Sequence, residues 1–246
     1  MKAIIFGGTT GMGRALARKL AERGDGVFLL GRNAEELERS AADLKARSAP
    51  GTEVGYATCD LEDPSTFAPA LDSADAALAG FDTVIVTAAL FATQAALEED
   101  IELTRRLVTV DYAHTLVFCE HARKRLLARG GGRLCVFSSV AGDRGRKPVA
   151  IYGSAKAGLS LYLEALDHKF HDAGLSVLCV KPGFVKTGMT AGLKPPPFAG
   201  EPEQVASDVL RALDKRKPVL YTPGMWALVM LIIRWLPRFV MRKIGF

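Results

Sequence analysis

Short apolar runs alternate with longer stretches of helical periodicity along most of the chain, and this alternation limits the fold more than any other feature. "AIIF" (3–6), "VFLLG" (27–31), "EVGYATCD" (53–60), "DTVIVTAA" (82–89), "GRLCVFSS" (132–139) and "LSVLCVKPG" (175–183) read as strands. Between them, helices are predicted over 13–24, over 34–47, from Pro64, in a long stretch ending near Arg129, and over 152–174. Most of these strands are almost continuously apolar. Such strands belong to a parallel sheet covered on both faces, because each side chain must be buried whichever way it points. Right-handed crossovers then make the sheet doubly wound. The expectation is an α/β fold in a single domain, with a mostly parallel sheet of about seven strands and helices on both faces.

A chain of 246 residues, 49% of them apolar, can fill one such core. The body is expected over 1–222. It includes a Pro-rich segment, "LKPPPFAGEP" (193–202), read as a loop inside the domain, and a substrate loop over 186–201; an apolar, basic tail over 223–246 belongs to the same unit. The four cysteines, Cys59, Cys119, Cys135 and Cys179, lie far apart with no metal-binding spacing, which predicts buried reduced thiols and no metal site. "MKAIIFGG" is too short in its apolar run for a signal peptide, and no run approaches the ~20 residues of a bilayer span. A cytoplasmic protein is expected. Net charge is +5, unevenly placed: residues 211–246 hold eight Lys or Arg against one acid, Asp214, a local charge of +7. That asymmetry favours an anionic surface or ligand near the tail. Nucleic acid is not among the expected partners.

The chemistry lies at the strand ends. "FGGTTGMGRAL" closes the first strand and opens the first helix. Glycines let the backbone turn tightly and approach a pyrophosphate, while a helix N-terminus offers free N–H groups and positive potential. The spacing Gly7, Gly11, Gly13 departs from the common G-x-G-x-x-G, so its position between strand and helix carries the nucleotide reading. This makes the fold Rossmann-type. The second strand ends "LLGRN". Arg32 stands where an acid would bind a ribose 2′-hydroxyl, and an arginine suits the 2′-phosphate of NADP; a solvated arginine at a helix start fits equally well.

Tyr152 and Lys156 are four residues apart in a predicted helix and so share a face. An ordinary phenol titrates near ~10; bringing it to about 7 takes roughly 4 kcal/mol, which Lys156 and a cationic nicotinamide could supply together. Ser139 ends a neighbouring strand and can face the same crevice.

With these residues the chain resembles the short-chain dehydrogenases/reductases, from Lys2 to about Thr190. The resemblance implies a nicotinamide dinucleotide, NADP in preference to NAD. Gly7, Thr9, Thr10, Gly11, Met12 and Gly13 would hold it in the first turn. Arg32 and Asn33 would follow the second strand, Asp60 and Leu61 the third, and Ala88 the fourth. Tyr152 and Lys156 would contact its ribose side, and Pro182, Gly183, Val185 and Thr187 in "KPGFVKT" its nicotinamide. Ser139, Tyr152 and Lys156 match the catalytic set. Two departures stand out. The Asn-Asn-Ala-Gly expected after the fourth strand is Val86-Thr87-Ala88-Ala89, and the relay asparagine is Asp111. In the family that residue holds a water mainly through its backbone carbonyl, which any residue provides, so catalysis is expected to survive the change, with Asp111 the weak point of the proton relay.

The implied reaction is hydride transfer to a ketone with Tyr152 as general acid, Ser139 bonding the same oxygen and Lys156 tuning the phenol. "SSVAGDRGRKPVAIYGSAKAGL" and the tail, "WALVMLIIRWLPRFVMRKIGF", are similar to reductases of decaprenylphosphoryl-2-keto-erythro-pentose, which implies a lipid-linked keto-sugar. A small hydrophobic ketone or a 3-ketoacyl substrate is the alternative, and a low-turnover NADP-binding scaffold or sensor a third. Family habit implies a homodimer or homotetramer. The tail, with Pro237 expected to start a second short helix, suits either the headgroup boundary of an anionic membrane or another subunit.

Overall fold

The computed structural model describes residues 1–196 and 198–245; Pro197 of the Pro-rich loop and Phe246 of the tail lie outside the described residues. Seven strands form one sheet: β1 (Lys2–Phe6), β2 (Gly26–Gly31), β3 (Val54–Thr58), β4 (Thr83–Val86), β5 (Gly132–Phe137), β6 (Leu175–Pro182) and β7 (Val219–Thr222). Their order is β3-β2-β1-β4-β5-β6-β7, and all six pairings are parallel, where a mostly parallel sheet was expected. The order runs outward in opposite directions from the β1/β4 pair, which is in register from Ala3↔Thr83 to Phe6↔Val86. Crossovers therefore diverge beyond Phe6 and Val86, leaving the crevice in which doubly wound sheets bind ligands. β4 is shorter than the apolar run suggests. The Thr87 and Ala88 N–H groups both donate to Phe6 O, at 2.8 and 3.0 Å, which turns the chain out of the sheet.

Alternate residues of β1 serve opposite layers, as strand geometry demands. Ile4 and Phe6 pack with Phe67 of α3 (Phe67–Ala77), Phe118 of α6 (Thr115–Ala128) and Leu159 of α7 (Ala150–Phe170). Ala3 and Ile5 pack with Leu16 of α1 (Gly11–Glu22), Leu37 of α2 (Ala34–Arg47) and Val209 of α8 (Pro202–Asp214). Phe6, Phe67 and Phe118 form an edge-and-tilt cluster with centroids 4.8–6.5 Å apart. Burying each ring contributes about 1.5–3 kcal/mol. All four cysteines are buried and free.

The long helix expected before Arg129 is broken into pieces. α4 (Gln94–Glu99) and α5 (Ile101–Val108) begin at separate caps: Thr93 Oγ1 accepts the Ala96 N–H at 3.3 Å, and Asp100 Oδ1 accepts the Leu103 N–H at 3.0 Å. α5 then runs into α6 through a π-helical turn, Thr109–His114. Apolar periodicity hides both events, since a cap and a widened turn cost one residue each. In the tail, α9 (Met225–Trp235) and α10 (Arg238–Met241) meet at Pro237, which caps the second helix as its fixed φ favours. No helix among the described residues is long and apolar enough to cross a membrane.

Candidate active site

The first turn is built by close approach. Gly7 has φ +92°, and a Cβ there would lie 2.6 Å from Ala88 N; a Cβ on Gly13 would lie 2.2 Å from Gly7 O. Thr87 replaces the family's asparagine by tying this turn down, its hydroxyl donating to Phe6 O at 3.1 Å and Gly7 O at 3.0 Å. Thr10 caps α1 with extended backbone, but its side chain makes no capping bond, and the first helical turn carries no acid. Its N–H groups are left for an anion, and the helix dipole favours one.

Most of the expected dinucleotide residues come together around this turn. Gly7, Thr9, Thr10, Arg32, Asn33, Asp60, Leu61 and Ala88 line one cleft of about 370 Å³. Met12, Pro182, Gly183, Val185 and Thr187 line a second cavity of about 300 Å³ with Ser139, Tyr152 and Lys156, and Ala89 borders both. Gly11 lines neither; it borders an outer cleft beside Thr187. Two adjoining cavities meeting near an open helix N-terminus fit an extended dinucleotide.

Some of these side chains have prior duties. Asn33 Oδ1 caps α2 by accepting the Glu36 N–H at 3.0 Å, and Asp60 Oδ1 accepts the Glu62 N–H at 3.0 Å. Arg32 is 69% exposed, with Nη1 3.7 Å from Glu62 Oε1. Glu62 is held more firmly by Arg106, whose Nε donates to it at 2.7 Å. The Arg106 hydrogen bond holds the Glu62 carboxyl below its ordinary range against a small burial effect, and the charges of Arg106 and Arg32 add to this. His114 sets Nδ1 2.6 Å from Leu61 O and so steadies the same cleft.

Ser139 follows β5, and its Oγ accepts the Ala141 N–H at 3.1 Å while remaining in hydrogen-bonding reach of the Tyr152 phenol. The Tyr152 ring stands edge-on to Phe91 at 5.4 Å, and Lys156 Nζ lies 5.5 Å from its centroid. Helical spacing thus delivers the shared face expected of it. Lys156 acts on the phenol in the expected direction, against a larger effect of burial. Burial raises the Tyr152 phenol above its ordinary value; the Lys156 charge opposes the rise, Asp111 adds to it, and the Ser139 bond lowers it. Without a cationic nicotinamide, desolvation outweighs Lys156, and the phenol stays protonated at neutral pH.

Asp111 explains part of this. It is wholly buried, and Lys156 is 2% exposed. Asp111 Oδ1 accepts the Leu90 N–H at 2.6 Å, and Oδ2 lies 3.2 Å from Lys156 Nζ. The second contact lacks aligned hydrogen-bond geometry, so it is an ion pair first. Burial opposes the Lys156 ammonium, but Asp111, with smaller help from Tyr152, outweighs it and the Lys156 pKa is raised; at Asp111 burial outweighs Lys156 and the Leu90 N–H, so its carboxyl is raised as well. The family comparison assigned this position a role through its backbone carbonyl; here its carboxylate faces the lysine directly.

The segment between Ser139 and Tyr152 is fastened to the tail. Arg144 Nη2 donates to Leu236 O at 2.8 Å, and Lys147 Nζ to Arg242 O at 2.6 Å. Asp143 accepts from Lys181 Nζ and from the Tyr221 hydroxyl, each at 2.6 Å. Arg146 and Trp226 line the cavity of Ser139, Tyr152 and Lys156, and burial lowers the Arg146 pKa against the charge of Asp143. None of Phe91, Arg106, Arg146 and Trp226 stood out as a site residue in the sequence, because no local spacing links them to it.

Residues 1–197 match the model of the short chain dehydrogenase family. The chain is 37% identical to an uncharacterized oxidoreductase of Mycobacterium tuberculosis over 98% of this chain and 95% of that one. It is 27% identical to carbonyl reductase family member 4 of Xenopus tropicalis, over 85% and 89% of the two chains. Among solved structures it resembles a short-chain type dehydrogenase/reductase from Mycobacterium ulcerans, with TM-score 0.83 and 22% identity over 98% and 97%. An actinorhodin polyketide ketoreductase with NADPH gives TM-score 0.79 and 22% identity over 89% and 94%. The low identity of these two structures bears on the fold alone. The family match covers every strand from β1 to β6 and the residues Ser139, Tyr152 and Lys156, and the chain belongs to the short-chain dehydrogenase family of oxidoreductases.

Proposed function

We propose that this chain is an NADPH-dependent reductase of a ketone carried on a lipid-linked sugar. The observation carrying the reductive half is the cavity that gathers Ser139, a protonated Tyr152 and Lys156 beside Pro182, Gly183 and Val185. Bound NADPH supplies the hydride. The Thr10–Gly13 turn would hold its pyrophosphate, and Arg32, now beside Glu62, would hold its 2′-phosphate. Tyr152 then gives its phenolic proton to the carbonyl oxygen as charge grows there, Ser139 donates a hydrogen bond to the same atom, and Lys156 limits the cost of the phenolate left behind. Asp111 holds Lys156 in place.

The substrate class rests on the tail beside this cavity. Leu228, Leu231, Ile232, Trp235 and Phe239 are all exposed, with Arg234, Arg238, Arg242 and Lys243 interspersed. An apolar face edged with cations suits the headgroup boundary of an anionic bilayer, where each basic residue adds about 1 kcal/mol. Self-association belongs to the same reading, through exposed Val117 and Leu161 on α6 and α7. The deciding experiment follows NADPH oxidation with a polyprenyl-phosphoryl keto-pentose, a 3-ketoacyl thioester and a simple cyclic ketone, with and without anionic vesicles. Turnover highest on the keto-pentose and raised by vesicles is expected. Preference for the thioester or the simple ketone would overturn the substrate class while leaving the reductase.

A further inference from the structure

Trp226 belongs to the tail by sequence, yet it forms part of the catalytic cavity. Its indole rests on Gly183, within the Pro182-Gly183 segment that closes β6. A Cβ on Gly183 would lie 2.0, 2.1 and 2.3 Å from Nε1, Cε2 and Cδ1 of the ring. Distances this similar place the missing carbon above the ring face. Had it stood in the ring plane ahead of the N–H, the two carbons would be much farther than the nitrogen. The face is therefore occupied by Gly183, while the N–H direction, in the plane, is not blocked by it. Phe198 stands edge-on to the indole at 6.1 Å and 85°, fixing its tilt.

Nε1 is buried and has no hydrogen-bond partner among the described residues. Buried donors are almost always satisfied, and an indole N–H can only donate. Most of the cavity wall it shares is apolar, and none of its hydroxyls, Ser139, Tyr152, Thr187 and Thr190 among them, bonds the indole N–H. An occupant of the cavity can supply the acceptor that the protein does not.

We propose that Trp226 is a specificity-determining residue, whose Nε1–H donates to an oxygen substituent next to the reacting carbonyl and so selects α-oxygenated ketones over plain hydrocarbon ketones. The inference rests on the ketone-reductase reading and narrows its substrate class. The Gly183–Trp226 pair is also exclusive, since any side chain at 183 would displace the ring.

The test compares cyclohexanone with 2-hydroxycyclohexanone, probes of nearly equal size. In steady state with NADPH, wild type is expected to favour the hydroxy ketone in kcat/KM. Trp226→Phe keeps a ring on Gly183 and removes the N–H; it should cut that preference about 3–10-fold, mainly through the KM of the hydroxy ketone. Equal effects on both ketones would overturn the proposal. A second readout needs no turnover. The chain has only two tryptophans, and Trp235 is 80% exposed, so an indole-¹⁵N-labelled full chain carries its own reference signal. With NADP⁺ bound, 2-hydroxycyclohexanone should shift the Trp226 indole resonance downfield, leave Trp235 in place, and act more strongly than cyclohexanone. A shift produced in full by NADP⁺ alone would assign the N–H to the cofactor and overturn the proposal. Selective shifts without turnover of either ketone would uphold Trp226 as a binding donor and remove the reductase reading instead.

Discussion

Asp111→Asn is the most informative single change, because the geometry makes an apparently mild substitution costly. Both carboxylate oxygens face donors: Oδ1 takes the Leu90 N–H at 2.6 Å, and Oδ2 faces the Lys156 ammonium at 3.2 Å. An asparagine amide has one oxygen and one NH₂ group. Either flip therefore sets an N–H donor against another donor, and the buried Lys156 charge loses its counter-charge. Breaking a buried pair costs about 3–5 kcal/mol, and the amide oxygen recovers some of it, so about 3 kcal/mol is expected. For a domain of this size each kcal/mol moves Tm by about 2–4 °C, which gives a fall of about 6–12 °C. Thermal melts by circular dichroism at low and high salt would measure it. The loss should be nearly independent of salt, because counterions screen buried pairs weakly. A variant melting within ~2 °C of wild type would show that the carboxylate is dispensable, returning the role of residue 111 to its backbone carbonyl.

Tyr152→Phe should lower turnover by at least ~100-fold while NADPH affinity stays near wild type; near-normal turnover would remove Tyr152 as the proton donor. The raised phenol makes a spectroscopic prediction for the cofactor-free protein: below pH 10, tyrosinate absorbance of wild type and Tyr152→Phe should coincide, because the buried phenol keeps its proton past its ordinary value. Extra wild-type absorbance near pH 7–8 would reverse the sign argued for burial. Arg32→Ala should erase a preference for NADPH over NADH worth roughly 1–3 kcal/mol, and Glu62→Gln should strengthen it by freeing Arg32; equal wild-type affinities for both cofactors would reduce Arg32 to a surface residue.

The architecture was readable because burial on two faces forces unbroken apolar strands, and six of the seven announce themselves. β7 did not, since Val219 is exposed and the strand is only four residues long. The Tyr152–Lys156 face was readable because helical periodicity is local. What sequence could not supply was pairing across distance. Arg106 meets Glu62 from 44 residues away, and Trp226 reaches Gly183 only because the tail folds back. The burial that raises the Tyr152 phenol was not legible for a related reason. Spacing displays the lysine that lowers the phenol, but not the packing that dehydrates it, nor the Asp111 side chain that takes up the lysine's charge.

The π turn at Thr109–His114 behaves like an insertion in the reading frame of a helix. Ordinary α geometry advances each residue by about 100°. Upstream, Leu107 is buried beneath α7; downstream, Phe118 is buried under the sheet. Those two anchors are compatible with an inward Asp111 only because the widened turn absorbs one residue between them, and Thr115 Oγ1 stitches its wall by donating to Val110 O at 2.8 Å. A one-residue deletion there would restore the better helix. It would also rotate Asp111 out of phase with Leu90 and Lys156, or else pull Leu107 or Phe118 from its place. The irregular turn thus acts as a phase marker: the least ideal stretch of the helix is the one that cannot be shortened without misaligning the lysine beside Tyr152.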